Sequence, residues 1–456
     1  MMTPAVLEML HAAVAAHRRG DLAEAVTGYA SVLNEMCDQP DALHLMGVAL
    51  HQQGKHDEAV VFVDKAATVS PEQESFVFDA ARVNAAAGKP DRALYWYTQV
   101  VRIDERRVDA LLGQASSYRA LGDYAAAAEA CAAACRLEPH NFAARCNHGL
   151  ALRECGRLEE ALCSLRRALE LDPGFVDGHL VVGRTLAALG GEHEAIRAFR
   201  HVVHLDPQRA EGWYELGNAL RSGEHAREAI ACFERAVTLR PGYIEAGGNL
   251  GEALQAAGRV GEAIEVYRGV LDENPRSRVL ISNLLFALNY PGGLSAEAIA
   301  AEHLRRGEEY ARGAVVMTGG SGIRHDTRLR IGYVSPDLCE HSVAWFFEPI
   351  LANHDRARCA VHCYASVSRV DGRTERLRRM TEQWRDIATV SDEDAARTIA
   401  DDNIDILVDL AGHTRGNRLG VFVQKPAPVQ VTYLGYPNTT GLRAMDYRLT
   451  DAWADP

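Results

Sequence analysis

No apolar run in this chain approaches the roughly 20 residues that a membrane-spanning helix requires. The first stretch, MMTPAVLEMLHAAVAAHRRG, carries Glu8 and His11 inside its apolar residues and has no basic leader. It reads as an amphipathic helix rather than a signal peptide. Cysteine is sparse: 10 in 456 residues, with no CxxC pair, too few for a disulfide scaffold. Cys131 and Cys135 lie four apart in an Ala-rich stretch, and Cys359 and Cys363 two strand periods apart. All read as reduced, buried thiols of a cytosolic protein. Positive charge is in deficit, with 49 Lys and Arg against 62 Asp and Glu and a net charge of −13. That argues against nucleic-acid phosphates and anionic membranes as partners.

What is present is ample core material: 47% hydrophobic and 24% charged residues, ordinary values for a globular chain whose length suggests about three domains. Much of it is periodic. Gly20, Gly54, Gly88, Gly122, Gly156, Gly190 and Gly258 recur at one fixed interval, that from Gly20 to Gly54, or at its multiples; the missing member falls on Glu224, beside Gly223. Five residues after each position stands alanine, without a gap: Ala25, Ala59, Ala93, Ala127, Ala161, Ala195, Ala229 and Ala263. Pro71, Pro139, Pro173, Pro207, Pro241 and Pro275 keep the same period. The glycine suits the left-handed residue after a helix, the alanine a close helix crossing, and the proline a helix stop. Tyr29, Tyr97, Phe199, Phe233 and Tyr267 share one phase and should fill the grooves between units. A helix–turn–helix unit of about 34 residues is the tetratricopeptide signature. It stands here in eight copies over residues 1–275. Pro40 comes three residues later than the period predicts, which reads as a lengthened connection into the second unit.

Stacked units form a concave groove that binds peptide or protein. Asn147, Asn249 and Asn283 occupy one phase of the first helices, where an amide could clamp a peptide main chain by donating and accepting at once.

After a helical transition over residues 276–325, with a Pro291-Gly292-Gly293 break and a glycine-rich linker after Met317, the period changes. Apolar, β-rich runs at 329–335, 359–366, 385–390, 405–412, 428–436 and 445–451 alternate with helical stretches at 342–354, 372–384 and 392–403. This predicts a parallel, doubly wound α/β lobe over 326–456, with ligands beyond the carboxyl ends of its strands. Neither GxGxxG nor GxxxxGK[ST] stands at those ends, so a simple dinucleotide or P-loop site is unsupported. No HExxH or other ligand spacing points to a metal. The strand ends do carry His341, His413 and the run Gly435-Tyr436-Pro437-Asn438-Thr439-Thr440, and each histidine can serve as a base or a hydrogen-bond donor.

A tetratricopeptide array running into SNLLFALNY, then LRIGYVSPDLCEHSVAWFFEPIL, IDILVDLAGHTRGNRL and KPAPVQVTYLGYPNTTGLRAMDYRLTD, closely resembles the protein O-GlcNAc transferases and their SPINDLY-type relatives. The resemblance implies the first, Rossmann-like half of a two-lobed GT-B fold. It implies inverting transfer of a sugar from UDP-GlcNAc to protein Ser or Thr hydroxyls, with GDP-fucose as the alternative donor. No resident cofactor is involved, and acceptor proteins sit in the repeat groove. His341 matches the family's proposed base, His413 of the GHT block is a second catalytic candidate, and Gly435 to Thr440 match the loop that lines the cleft. In the family a second lobe follows and carries most nucleotide-sugar contacts, so this chain is expected to be a fragment or truncated product. The expected setting is the cytoplasm, and homodimers occur among such arrays. A non-catalytic scaffold that only binds client proteins is the alternative from another class.

Overall fold

The computed structural model describes residues 2–221, 225–290, 294–317 and 328–451. Gly223, Glu224, the Pro291–Gly293 break and residues 318–322 of the linker lie outside them. The chain forms two compact units, Met1–Gln208 and Arg209–Pro456.

The first unit is six helical hairpins: α1 (Pro4–Arg19) with α2 (Leu22–Glu35), α3 (Pro40–Gln52) with α4 (His56–Val69), α5 (Glu74–Ala86) with α6 (Pro90–Ile103), α7 (Val108–Ala120) with α8 (Tyr124–Leu137), α9 (Phe142–Glu154) with α10 (Leu158–Leu171), and α11 (Val176–Ala188) with α12 (Glu192–Leu205). The second unit opens with two more, α13 (Ala210–Leu220) with α14 (Ala226–Leu239) and α15 (Ile244–Ala256) with α16 (Val260–Glu273). The alanine series is fully buried, as the crossing demands. So are Tyr29, Phe199, Phe233 and Tyr267 of the aromatic series. These rings are accommodated by a second small-residue series that the spacing arguments above did not use. Gly183, Gly217 and Gly251 face Phe199, Phe233 and Tyr267, and a Cβ on Gly251 would fall 2.2 Å from the Tyr267 ring.

First helices start at Pro40, Glu74, Val108, Phe142, Val176, Ala210 and Ile244, each one repeat length after the last. The second repeat therefore does not start late. Pro40 is the first residue of α3, where its missing N–H costs nothing, and not the stop signal after α2. The period also passes residue 275: α17 (Arg278–Ala287) starts one repeat length after α15, and α18 (Ala296–Ala311) follows. Not every thiol is buried; Cys37 and Cys163 are exposed.

The lobe is a six-stranded, wholly parallel sheet in the order β3-β2-β1-β4-β5-β6. Its elements are β1 (Leu329–Ser335), α19 (Ser342–Ala352), β2 (Cys359–Ala365), α20 (Gly372–Arg378), β3 (Gln383–Asp386), α21 (Asp392–Asp401), β4 (Ile406–Asp409), α22 (Leu419–Phe422), β5 (Val429–Thr432) and β6 (Tyr447–Arg448). Strand sequences are apolar on both faces because both are covered. Tyr333, Val361, Cys363 and Val408 pack under Phe347, Leu351 and Leu377. Val334, Tyr364 and Leu407 pack under Ala395, Ile399 and Phe422 on the other side. The charged helix expected over 372–384 stops at Arg378, and Trp384 lies in β3. The strand order reverses between β1 and β4, whose ends meet with Val334 opposite Asp409. A crevice is expected at that reversal.

Candidate active site

The crevice is there. A cavity of about 630 Å³ opens at the β1/β4 reversal, all within the second unit. One wall is the β1–α19 loop with Asp337 and His341, another the segment His413–Arg415 after β4, and a third Leu434 and Gly435 after β5. The remaining wall comes from the helices before the sheet: Glu252 and Gln255 of α15, and Asn283 and Phe286 of α17. The helices that end the repeat array thus share one cavity with the strand ends.

His341 is the N-cap of α19. Its Nδ1 accepts the Val343 backbone N–H at 3.3 Å, satisfying one of the unpaired amides of the first turn. The ring is 45% exposed. Asp337 lies 3.7 Å from the same nitrogen, and its side chain is only 17% exposed. Burial pushes the Asp337 carboxyl above the usual carboxylate range, and His341 pulls it partly back. The loop between them is held from α20. Asp371 accepts the Glu340 N–H at 2.7 Å, and the buried Arg373 bonds Glu340 at 3.2 Å and Glu348 at 2.5 Å beneath the Trp345 ring.

The second histidine behaves differently. His413 is 2% exposed. Its Nε2 donates to the Thr440 carbonyl at 2.9 Å, which leaves Nδ1 to accept from the Ser282 hydroxyl at 3.0 Å. Burial lowers its pKa to about 4. With both nitrogens engaged, the ring has no free lone pair for an acceptor proton, which corrects the expectation that His413 is a catalytic base. It ties α17 to the loop after β5.

The same holds for most of the GYPNTT run. Gly435 lines the cavity, and only glycine fits there, because a Cβ would fall 1.9 Å from the Leu410 carbonyl oxygen. Tyr436 is buried, and its hydroxyl meets the Leu285 carbonyl at 2.9 Å, His303 Nε2 at 2.7 Å and the Asn289 amide at 3.0 Å. Asn438 donates to Asn289 Oδ1 at 3.1 Å, Thr439 Oγ1 accepts the Gly441 N–H, and Thr440 is 1% exposed. Pro437 is exposed, and its carbonyl accepts from Arg448. These side chains bolt the loop to α17 and α18, so the expectation that Tyr436 and Thr440 touch substrate is corrected: their polar groups are consumed internally.

Of the amide series, Asn283 lines the cavity. Asn249 donates to Asn218 Oδ1 at 2.7 Å, and Asn218 lies one helical turn out of the phase that singled out the others. Asn147 is half-buried on α9 in the first unit. Asp337, in the run Ser335-Pro336-Asp337 that the strand-end rule selects after β1, also lines the cavity, although sequence reasoning gave it no role. The signal was its place four residues before His341, just past the end of β1. Among the described residues no group of three or more His, Cys, Asp or Glu is arranged to hold a metal, and no helix is long and apolar enough to cross a membrane.

Residues 316–456 match the family described as glycosyl transferase family 41, and residues 40–73, 112–175, 180–244 and 214–278 match tetratricopeptide repeats. A tomato (Solanum lycopersicum) protein named a probable UDP-N-acetylglucosamine–peptide N-acetylglucosaminyltransferase SPINDLY is 41% identical over 188 residues, 40% of this chain and 20% of the relative. A UDP-N-acetylglucosamine–peptide N-acetylglucosaminyltransferase of Caenorhabditis elegans is 42% identical over 137 residues, 29% of this chain and 12% of the relative. A solved structure of a Thermobaculum terrenum O-GlcNAc transferase mutant aligns over 75% of this chain and 53% of its own, with 31% identity and a TM-score of 0.40. The aligned stretches thus span only a fifth or less of the two curated relatives' length. The chain thus carries tetratricopeptide matches followed, over residues 316–456, by a match to glycosyl transferase family 41.

Proposed function

We propose that this chain supplies the acceptor side of a protein O-glycosyltransferase that moves GlcNAc from UDP-GlcNAc to Ser or Thr hydroxyls. The observation that carries this reading is the shared cavity. Asp337 and His341 stand on one wall, and Asn283, Glu252 and Gln255 of the array's last helices stand on another. A polypeptide lying along those helices delivers a hydroxyl to the pair of titratable groups. The rate gain expected from such a site is alignment of the hydroxyl behind the anomeric carbon and help with its proton. The repeats select the acceptor protein, the setting is the cytoplasm, and no resident cofactor enters the reaction.

The test is transfer by the complete protein that carries this chain, supplied with labelled UDP-GlcNAc or GDP-fucose and a Ser-containing acceptor peptide. Label from UDP-GlcNAc that disappears in His341→Ala supports the reading. Label from GDP-fucose alone changes the donor to the alternative. Client binding with no transfer from either donor leaves a scaffold.

A further inference from the structure

His341 presents one imidazole to the cavity, and the protein has already spent one of its nitrogens. Nδ1 accepts the Val343 N–H at 3.3 Å. An imidazole nitrogen that accepts an N–H bond carries no proton of its own. The neutral ring is therefore the tautomer with hydrogen on Nε2, which has no partner among the described residues. The other geometry, with a proton on Nδ1 given to Asp337, requires a bond across 3.7 Å, beyond hydrogen-bond length. A ring held this way donates toward the cavity and cannot take a proton there.

The Asp337 carboxylate complements it. It lines the same cavity, is largely buried, and accepts no hydrogen bond from the described residues. Its own backbone N–H is anchored on Ser335 Oγ at 3.0 Å, so the residue is fixed at the strand end while its carboxylate stays unspent. A desolvated carboxylate without donors is a stronger base than an exposed one, in line with the upward push burial gives it.

We propose that Asp337 is the catalytic base of the transfer and that His341 acts as a hydrogen-bond donor through Nε2. The proposal rests on the glycosyl-transfer reading. The acceptor hydroxyl gives its proton to an Asp337 oxygen, and its freed electron pair forms the bond to the anomeric carbon. The bond from that carbon to the nucleoside diphosphate breaks, with its electron pair leaving on the diphosphate. His341 Nε2–H holds an oxygen of the reacting pair in line.

Two measurements decide it. The first needs no activity: the chain is labelled with nitrogen-labelled histidine, and the ring nitrogens are read by long-range proton–nitrogen correlation, with His341 assigned from the signals lost in His341→Gln. A ring with hydrogen on Nε2 is expected; hydrogen on Nδ1 overturns the proposal. The second compares variants in the complete protein. An amide can stand in for an Nε2–H donor but never for a base. His341→Gln should lower kcat less than about tenfold, and Asp337→Asn by about a hundredfold or more with acceptor KM nearly unchanged. Near wild-type kcat in Asp337→Asn, with His341→Gln as inactive as His341→Ala, returns the base role to His341 and overturns the proposal. Absence of transfer from any donor overturns the glycosyl-transfer reading and the base role with it, while the ring measurement still decides the tautomer.

Discussion

Glycine does different work in the repeats and in the lobe. In the repeats, Gly88 sits at φ +69° after a helix, and nothing lies within 4 Å of where a Cβ would be. The demand is on the backbone alone. At the cavity, Gly435 is needed because another backbone passes through the space a side chain would fill, with the Leu410 carbonyl oxygen 1.9 Å from an ideal Cβ. Gly251 lies between these extremes: its obstacle is the ring of Tyr267, which can shift. One residue type thus records a conformational requirement in one region and a steric one in the other. The first recurs with a period; the second belongs to a single place in the fold.

Gly435→Ala should have the largest effect, a loss of about 3 kcal/mol or more in denaturant unfolding, because neither backbone can yield cheaply. A loss below about 1 kcal/mol would break the distinction drawn here. The buried His413 adds a pH term; burial also lowers His51, His148 and His201 in the repeats, but a value as low as about 4 belongs to His413. Its pKa is lowered to about 4 in the fold, against about 6.5 unfolded, so its contribution is complete above pH 6.5. As pH falls from 6.5 toward 4 the unfolded chain binds the proton first, and on the order of 2–3 kcal/mol is lost. Melting temperature followed over that range should show the fall, and His413→Gln should flatten it. Gly251→Ala should cost about 1–2 kcal/mol, since the Tyr267 ring must move against its neighbours. Gly88→Ala should cost about 1 kcal/mol, the left-handed penalty alone. If Gly251→Ala and Gly88→Ala cost the same, the ring contact is slack and the intermediate class disappears.

The array was legible because its constraints repeat: a glycine, an alanine and an aromatic in fixed phase are repeated readings of one geometry, unbroken only for the alanine. Pro40 was misread because proline is at home both after a helix and at the first position of one, and only the position of α3 separates the two. The strands were legible from their apolar runs, but Trp384 was assigned to a helix. A short edge strand such as β3 needs little pattern of its own once β2 offers it a ladder. At the site, His341 could be picked out by its place after β1. What could not be read was where polar groups are spent. Tyr436 reaches a carbonyl 151 residues away, and His413 a serine 131 residues away, so their roles depend on partners that nothing local announces. Asp337 is the converse case: among the described residues its carboxylate accepts no hydrogen bond.

Gly307 of α18 and Gly441 of the loop after β5 press backbone to backbone, with an ideal Cβ on Gly307 only 2.1 Å from the Gly441 carbonyl oxygen. Gly441, at φ +70°, in turn lies against the His303 carbonyl. At both glycines the nearest atoms across the contact are main chain. The two main chains are riveted, so a tilt of α18 is passed undamped to the segment that begins at Gly435 on the cavity wall.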